Sequence, residues 1–233
     1  MLTNHWVAPS VYFYKCNITS THDLHETAEL IRKEHGDPTV LVNNAGLART
    51  GTILDESEAA IRGTFEVNIL AHFWTVKEFL PAMIRNDHGH VVTVASMASF
   101  AGLGEMADYS ASKAAALAFH ETLGEELRYW YKAHRVRTSI MHPLWVATPM
   151  IRMLTDAGRH FSQPVMTVDK IADAIVGQIV SQRSGQVVLP WYLGIAKAVR
   201  CLPAWLQIRV RGEKSLPLAR LRELEKKGVI SDI

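Results

Sequence analysis

Short apolar, β-branched runs recur along the chain with longer helical stretches between them. They are VYFYKC (11–16), TVLVNN (39–44), HVVTVAS (90–96), VRTSIMH (136–142) and GQVVLP (185–190). Most are continuous rather than alternating, the pattern of strands covered on both faces of a parallel sheet. Helical patterns at roughly 20–35, 55–86, 108–133 and 167–183 separate them, the last with Thr167 as N-cap and Gly185 just past its end. Strict alternation of strand and helix predicts an α/β fold built on a doubly wound parallel sheet.

A chain of 233 residues, 48% of them hydrophobic, has material for one sizeable core. A formal charge of +2 without a run of like charges gives nucleic acid no footing. Cys16 and Cys201 are too few for a disulfide scaffold, so a reducing, cytoplasmic compartment is expected. No uninterrupted apolar stretch reaches the length of about 18 residues that spans a bilayer. The opening MLTNHWVAPS lacks the basic and apolar regions of a signal peptide.

The chemistry-bearing residues cluster after the strands. In DYSASKAAALAF (108–119), Tyr109 precedes Lys113 by one helical turn, which puts both side chains on one face. A phenol with a pKa of about 10 transfers protons poorly at neutral pH, and a nearby ammonium favours its phenolate. Ser96 closes the run HVVTVAS, at the strand edge where doubly wound sheets bind ligands, and Ser99 is its rival. LVNNAG (41–46) closes another run with Asn43, Asn44 and Gly46. Asn68 sits in a helical stretch where asparagine is locally unfavourable. HPLWVATPM (142–150) is a proline-led loop containing Thr148.

Asn-Asn-Ala-Gly, Asn68, Ser96, Tyr109-x-x-x-Lys113 and Pro143-x-x-x-x-Thr148 together resemble the motif set of the short-chain dehydrogenase/reductase family, from about residue 10 to about 190. The resemblance implies a Rossmann-like sheet and a nicotinamide cofactor, NADP by preference with NAD left open. It implies Tyr109 as general acid/base on a carbonyl or alcohol oxygen, and Lys113 lowering its pKa and holding the nicotinamide ribose. Ser96 would bond the substrate oxygen and Asn68 would hold a relay water. Asn44 would lie beside the ribose, and Val146 with Thr148 would fix the carboxamide. The wording around Ser96 and Tyr109 is similar to the retinol and hydroxysteroid dehydrogenase branch, and fungal biosynthetic reductases share it. That implies a lipophilic substrate such as a retinoid, steroid, lipid or secondary metabolite.

The chain departs from the family at its start. No glycine precedes Gly36, so the glycine-rich turn that receives the pyrophosphate is missing. The expectation is a truncated catalytic domain over 1–190, without its first two strands, and a helical extension of it over 191–233. Asn17 stands where an acidic residue is usual beside the adenine, and its carbonyl oxygen offers the adenine amine an acceptor. Leu144 replaces the usual glycine after Pro143. In the family's strand order, 11–16 would have no neighbour and 39–44 would expose an apolar edge. A truncated gene product, a rearranged edge or a covering partner are the three ways out. The competing function is therefore an inactive paralogue that acts as an interaction module, pairing through 55–86 and 108–133 with a second copy or a full-length relative.

Other stretches read more plainly. HDLHE (22–26) matches no zinc-protease spacing, and no metal site is expected. His88 and His90 flank Gly89 in what reads as a solvated turn, and 150–164 takes the place of a substrate lid. The segment 191–212 is apolar, tryptophan-rich and dotted with Lys197, Arg200, Arg209 and Arg211. It suits a lipid surface, such as the endoplasmic reticulum or a lipid droplet, a cover for the substrate pocket, or a subunit contact. LARLRELEKKG (218–228) reads as a solvated helix.

Overall fold

Residues 10–152, 154, 161 and 163–227 are described by a computed structural model. The strands are β1 (Val40–Asn43), β2 (Gly89–Val94), β3 (Val136–Pro143), the short β4 (Trp145–Val146) and β5 (Val165–Met166), and β6 (Gly185–Leu189). A four-stranded, wholly parallel sheet runs β1-β2-β3-β6, while β4 pairs with β5. The helices are α1 (Thr21–His35), α2 (Glu58–Phe65), α3 (Ala71–Arg85), α4 (Ala107–Tyr129), α5 (Val168–Val180) and α6 (Ala204–Lys226). The doubly wound α/β reading stands.

One core lies between the sheet and α1, α3 and α4. Leu24 and Ala28 of α1, Phe79 and Met83 of α3, and Leu123 and Leu127 of α4 close on Val91 of β2. Their recurrence every three or four residues is the apolar stripe of a core-facing helix. Strand β2 is buried along nearly its whole length, which explains its unbroken apolar run.

The sheet edge holds the main correction. Residues 11–16 form no strand and pair with no strand of the sheet, whose edge is β1. Val11 and Phe13 are almost fully exposed, and the segment rests on α1 through the Tyr14 hydroxyl, which donates to Glu34. Leu41 packs into the core, whereas Val40 and Val42 are each more than a third exposed. The expected apolar edge is present.

Smaller differences follow from local chemistry. The stretch predicted as one helix over 55–86 starts after the Ser57 cap, whose hydroxyl accepts from the Ala60 amide. It then passes from α2 to α3 through a π-turn at Glu66–Leu70. The helix predicted to 133 ends at Tyr129, and the one predicted to 183 ends at Val180, so Gly185 opens β6 instead of capping α5. His90 is not in a solvated turn. It is buried in β2, with Nε2 at 2.9 Å from the Ser139 hydroxyl. The C-terminal helix begins at Ala204, well before 218.

Candidate active site

The site is assembled at the C-terminal ends of β1, β2 and β3, where the loops leave the sheet. Ser96 follows β2 and caps a short 3-10 turn, its hydroxyl accepting from the Ala98 amide at 3.2 Å. Its carbonyl oxygen lies 3.1 Å from His142 Nδ1 at the end of β3, so two strands fix its backbone. Tyr109 and Lys113 share one face of the first turns of α4, and the Ser96 side chain is the polar group that acts on the Tyr109 hydroxyl. Burial holds the Tyr109 pKa above its ordinary value, and the nearby Ser96 side chain opposes that rise.

Lys113 lies near Tyr109 with a partner of its own. Its ammonium donates to the Val94 carbonyl at 2.9 Å and sits 5.8 Å from the Tyr109 ring centroid. The group set against the phenol is Ser96. Burial alone brings the Lys113 pKa from 10.5 to about 8.

Asn68 explains the π-turn. It is fully buried; its Oδ1 accepts from the Leu47 amide at 2.7 Å, and its Nδ2 donates to the Leu47 carbonyl at 2.8 Å. Nδ2 also donates to the Ser112 hydroxyl at 2.9 Å. The wider helical turn carries the Asn68 amide that closes on Leu47, just past the Asn-Ala-Gly loop. Ser112 in turn donates to the Tyr109 carbonyl at 2.8 Å, tying Asn68 to the helix that carries Tyr109. Sequence reasoning missed Ser112. The signal was available, since serine is a poor helix former and here falls between Tyr109 and Lys113.

Ser99, the rival of Ser96, bonds the Lys113 carbonyl at 2.9 Å and so positions α4. Asn43 is buried and accepts from Thr75 at 2.8 Å, while Asn44 beside it is exposed. Val146 pairs with Met166 across β4 and β5, and Thr148 precedes a 3-10 turn at Pro149–Ile151. Leu144 is tied down by its amide, which donates to the Leu189 carbonyl at 2.8 Å. Over the site lies a second apolar cluster, in which Met106, Ile151, Leu154, Phe161, Leu218 and Leu221 gather with Tyr109 and Trp145 against them. The predicted lid falls largely outside the described residues, and the predicted solvated helix contributes Leu218 and Leu221 to this roof.

The reacting end of a nicotinamide nucleotide fits these residues. A Cβ built on Gly46 would make ordinary contacts with Asn68 Oδ1 at 3.5 Å, Lys113 Nζ at 3.6 Å and Met150 Cε at 3.7 Å, so both polar groups converge on the loop after β1. The described residues hold no glycine-rich turn before β1. Gly36, the first glycine of the chain, ends α1 and opens no helix, and the Asn17 carboxamide accepts from the Thr19 amide and hydroxyl. Asn17 is therefore occupied within its own turn. In the HDLHE stretch, His25 meets Glu29 and Glu78, but Arg32 lies 2.6 and 2.7 Å from those two carboxylates.

Residues 2–158 match the family model described as short chain dehydrogenase. The chain belongs to the short-chain dehydrogenase family. It is an oxidoreductase family, and the retinol and hydroxysteroid branch is represented among the relatives. Dehydrogenase RED3 of Cochliobolus heterostrophus is 52% identical over 130 residues, covering 56% of this chain and 66% of that protein. Human epidermal retinol dehydrogenase 2 is 37% identical over 172 residues, covering 72% of this chain and 55% of the relative. Bovine short-chain dehydrogenase/reductase family 16C member 6 is 30% identical over 223 residues, or 94% of this chain and 70% of the relative. The chain thus spans between half and about two thirds of the length of most of the short-chain dehydrogenases it matches. A solved structure, 4-hydroxyisoleucine dehydrogenase complexed with NADH, shares the fold with a TM-score of 0.64 at 20% identity, covering 75% of this chain and 78% of that one.

Replacing Lys113 by methionine separates stability from function. At pH 7 the lysine is protonated whether the chain is folded or unfolded, so the folded state carries the whole cost of a pKa depressed from 10.5 to about 8. That depression corresponds to about 3 kcal/mol, and losing the Val94 bond returns about 1 kcal/mol. Lys113→Met should raise the unfolding free energy in urea by roughly 2 kcal/mol at pH 7. The advantage should shrink as pH rises from 8 toward 10.5, where the wild type gains stability.

Proposed function

We propose that the chain interconverts a hydroxyl and a carbonyl on a lipophilic small molecule with NAD(P)(H). The placing of Ser96 and Tyr109 together at the end of β2, with Leu218 and Leu221 packed against Tyr109, carries this reading. When bound, the nucleotide supplies or accepts the hydride. Ser96 and Tyr109 hold the substrate oxygen, and Tyr109 gives it a proton in reduction or takes one in oxidation. Lys113 and the Asn68 amide converge on the loop after β1, Lys113 facing the ribose hydroxyls and Asn68 a relay water. Asn44, Val146 and Thr148 take the remaining places along the nucleotide. NADP preference rests on resemblance to the retinol and steroid dehydrogenases, as does a peripheral place on endoplasmic reticulum or lipid droplets. Among the described residues no helix is long and apolar enough to cross a membrane.

A second reading is favoured by the open β1 edge. On it, the chain is an inactive partner that pairs with a second copy or a full-length relative. The outer faces of α3 and α4 offer a contact, where Phe73, 42% exposed, lies 4.5 Å from Phe119 ring to ring.

Titration with NADPH and NADH, followed by quenching of tryptophan fluorescence, separates the two. Saturation at micromolar nucleotide is the expected result, and a panel of retinoid and steroid ketones then identifies the substrate class. A folded, monodisperse protein that binds neither nucleotide would sink the enzyme reading for this chain.

A further inference from the structure

The 3-10 helix Trp191–Cys201 and the first half of α6 form an apolar surface that the fold leaves uncovered. Three residues per turn place Leu193, Ala196 and Val199 on the inner row of the 3-10 helix, and Val199 is buried. Trp191, Tyr192 and Ile195 occupy the other rows and are 84, 57 and 82% exposed. On α6, Trp205, Ile208 and Leu216 follow one outward stripe and are each more than half exposed. Side chains of this size are the ones a fold normally buries, and a contiguous apolar surface signals a partner.

Charge and geometry choose among partners. The stretch 191–214 holds Lys197, Arg200, Arg209, Arg211 and Lys214 against Glu213 alone. Lys197 and Arg200 donate to backbone carbonyls, which carry no formal charge, so both keep their full positive charge. A two-fold contact with a second copy sets a patch against itself and would bring these cations together. An anionic lipid surface has the opposite requirement. It accepts cations at the headgroups, tryptophan and tyrosine at the interface, and aliphatic side chains just below.

The other half of α6 is anchored. Ser215 accepts from the Gly104 amide at 2.9 Å, and Arg222 pairs with Asp55. Leu218 and Leu221 then close the roof over Tyr109. A single helix thus carries the exposed stripe at one end and the cover of the site at the other.

We infer that residues 191–216 dock the protein on an anionic phospholipid bilayer, with Trp205 and Ile208 entering the interface. The inference stands apart from catalysis, because binding to vesicles needs no turnover. The test is sedimentation of the full chain with vesicles of phosphatidylcholine containing about 30% phosphatidylserine, and with phosphatidylcholine alone. The expected result is binding to the anionic vesicles at least about tenfold tighter than to the neutral ones, and weakened by added salt. Trp205→Ser/Ile208→Ser should lose about tenfold or more of that binding, and Arg209→Glu/Lys214→Glu should abolish the preference for anionic lipid. Both pairs are exposed, so melting temperatures should stay at the wild-type value. Wild-type sedimentation by both double variants would overturn the inference, as would indifference to either vesicle. So would a wild-type dimer that Trp205→Ser/Ile208→Ser converts to monomer, since that assigns the face to a second copy.

Discussion

Acidification from pH 6.5 to 4 should unfold the chain well before its carboxylates are protonated. His72, His120 and His142 are nearly or fully buried, and each has a pKa brought from 6.5 to about 4. Burial is the largest cause in all three. The Lys113 charge adds to it at His72, and neighbouring His142 and His90 add to it at His120. At His142 the bond to the Ser96 carbonyl works against the depression. Both His72 ring nitrogens, His120 Nδ1 and His142 Nε2 lie buried without a hydrogen-bond partner, so at these atoms no acceptor stabilises an added proton.

The sign is fixed by these positions. Above pH 6.5 the histidines are neutral in both states and cost nothing. As pH falls toward 4 the unfolded chain takes up protons that the folded chain refuses, and stability drops. Each depression from 6.5 to about 4 is worth about 3 kcal/mol, so three sites withdraw up to about 10 kcal/mol, comparable to a domain's whole stability. Circular dichroism and tryptophan fluorescence between pH 8 and 3 should show a cooperative transition centred at about pH 5. His120→Asn should move it downward by several tenths of a pH unit. A midpoint below about 3.5, in the range of ordinary carboxylates, would rule the histidines out as its cause.

The same residues show what a linear sequence conceals. Strand β2 was legible because burial on both faces leaves a nearly continuous β-branched run. Tyr109 and Lys113 were legible because a helix turns their spacing into proximity. His90 was not: a histidine beside a glycine looks like a turn until the Ser139 hydroxyl opposite, far along the chain, gives its ring a partner. VYFYKC has every local mark of a strand, yet a strand exists only if another backbone pairs with it, and β1 does not. Asn68 was legible as an oddity, but the π-turn that aims it is set by Leu47 and Ser112 together. The partner of Lys113 was hidden for a related reason. Spacing places an ammonium near a phenol, but the Val94 carbonyl decides where the ammonium points.

Tyr109→Phe should lower turnover by about a thousandfold, or roughly 4 kcal/mol of transition-state stabilisation, in the middle of the range for a positioned general acid or base. Phenylalanine preserves the ring packed beside Trp145 and Leu218, so nucleotide binding and melting temperature should hardly move. Ser96 keeps its bond from the Ala98 amide, which limits the structural cost. The pH dependence then distinguishes a proton donor from a bystander. Burial holds the Tyr109 pKa above its ordinary value, so at pH 7 the phenol carries its proton. Carbonyl reduction, which needs that proton, should run at full rate near neutrality and decline only at high pH. Alcohol oxidation, which needs the phenolate, should accelerate steadily as pH rises above 7. In Tyr109→Phe both profiles should flatten to the same residual rate. A variant that kept the wild-type slope in the oxidative direction would show that another group takes the proton, and Tyr109 would then serve only to shape the pocket.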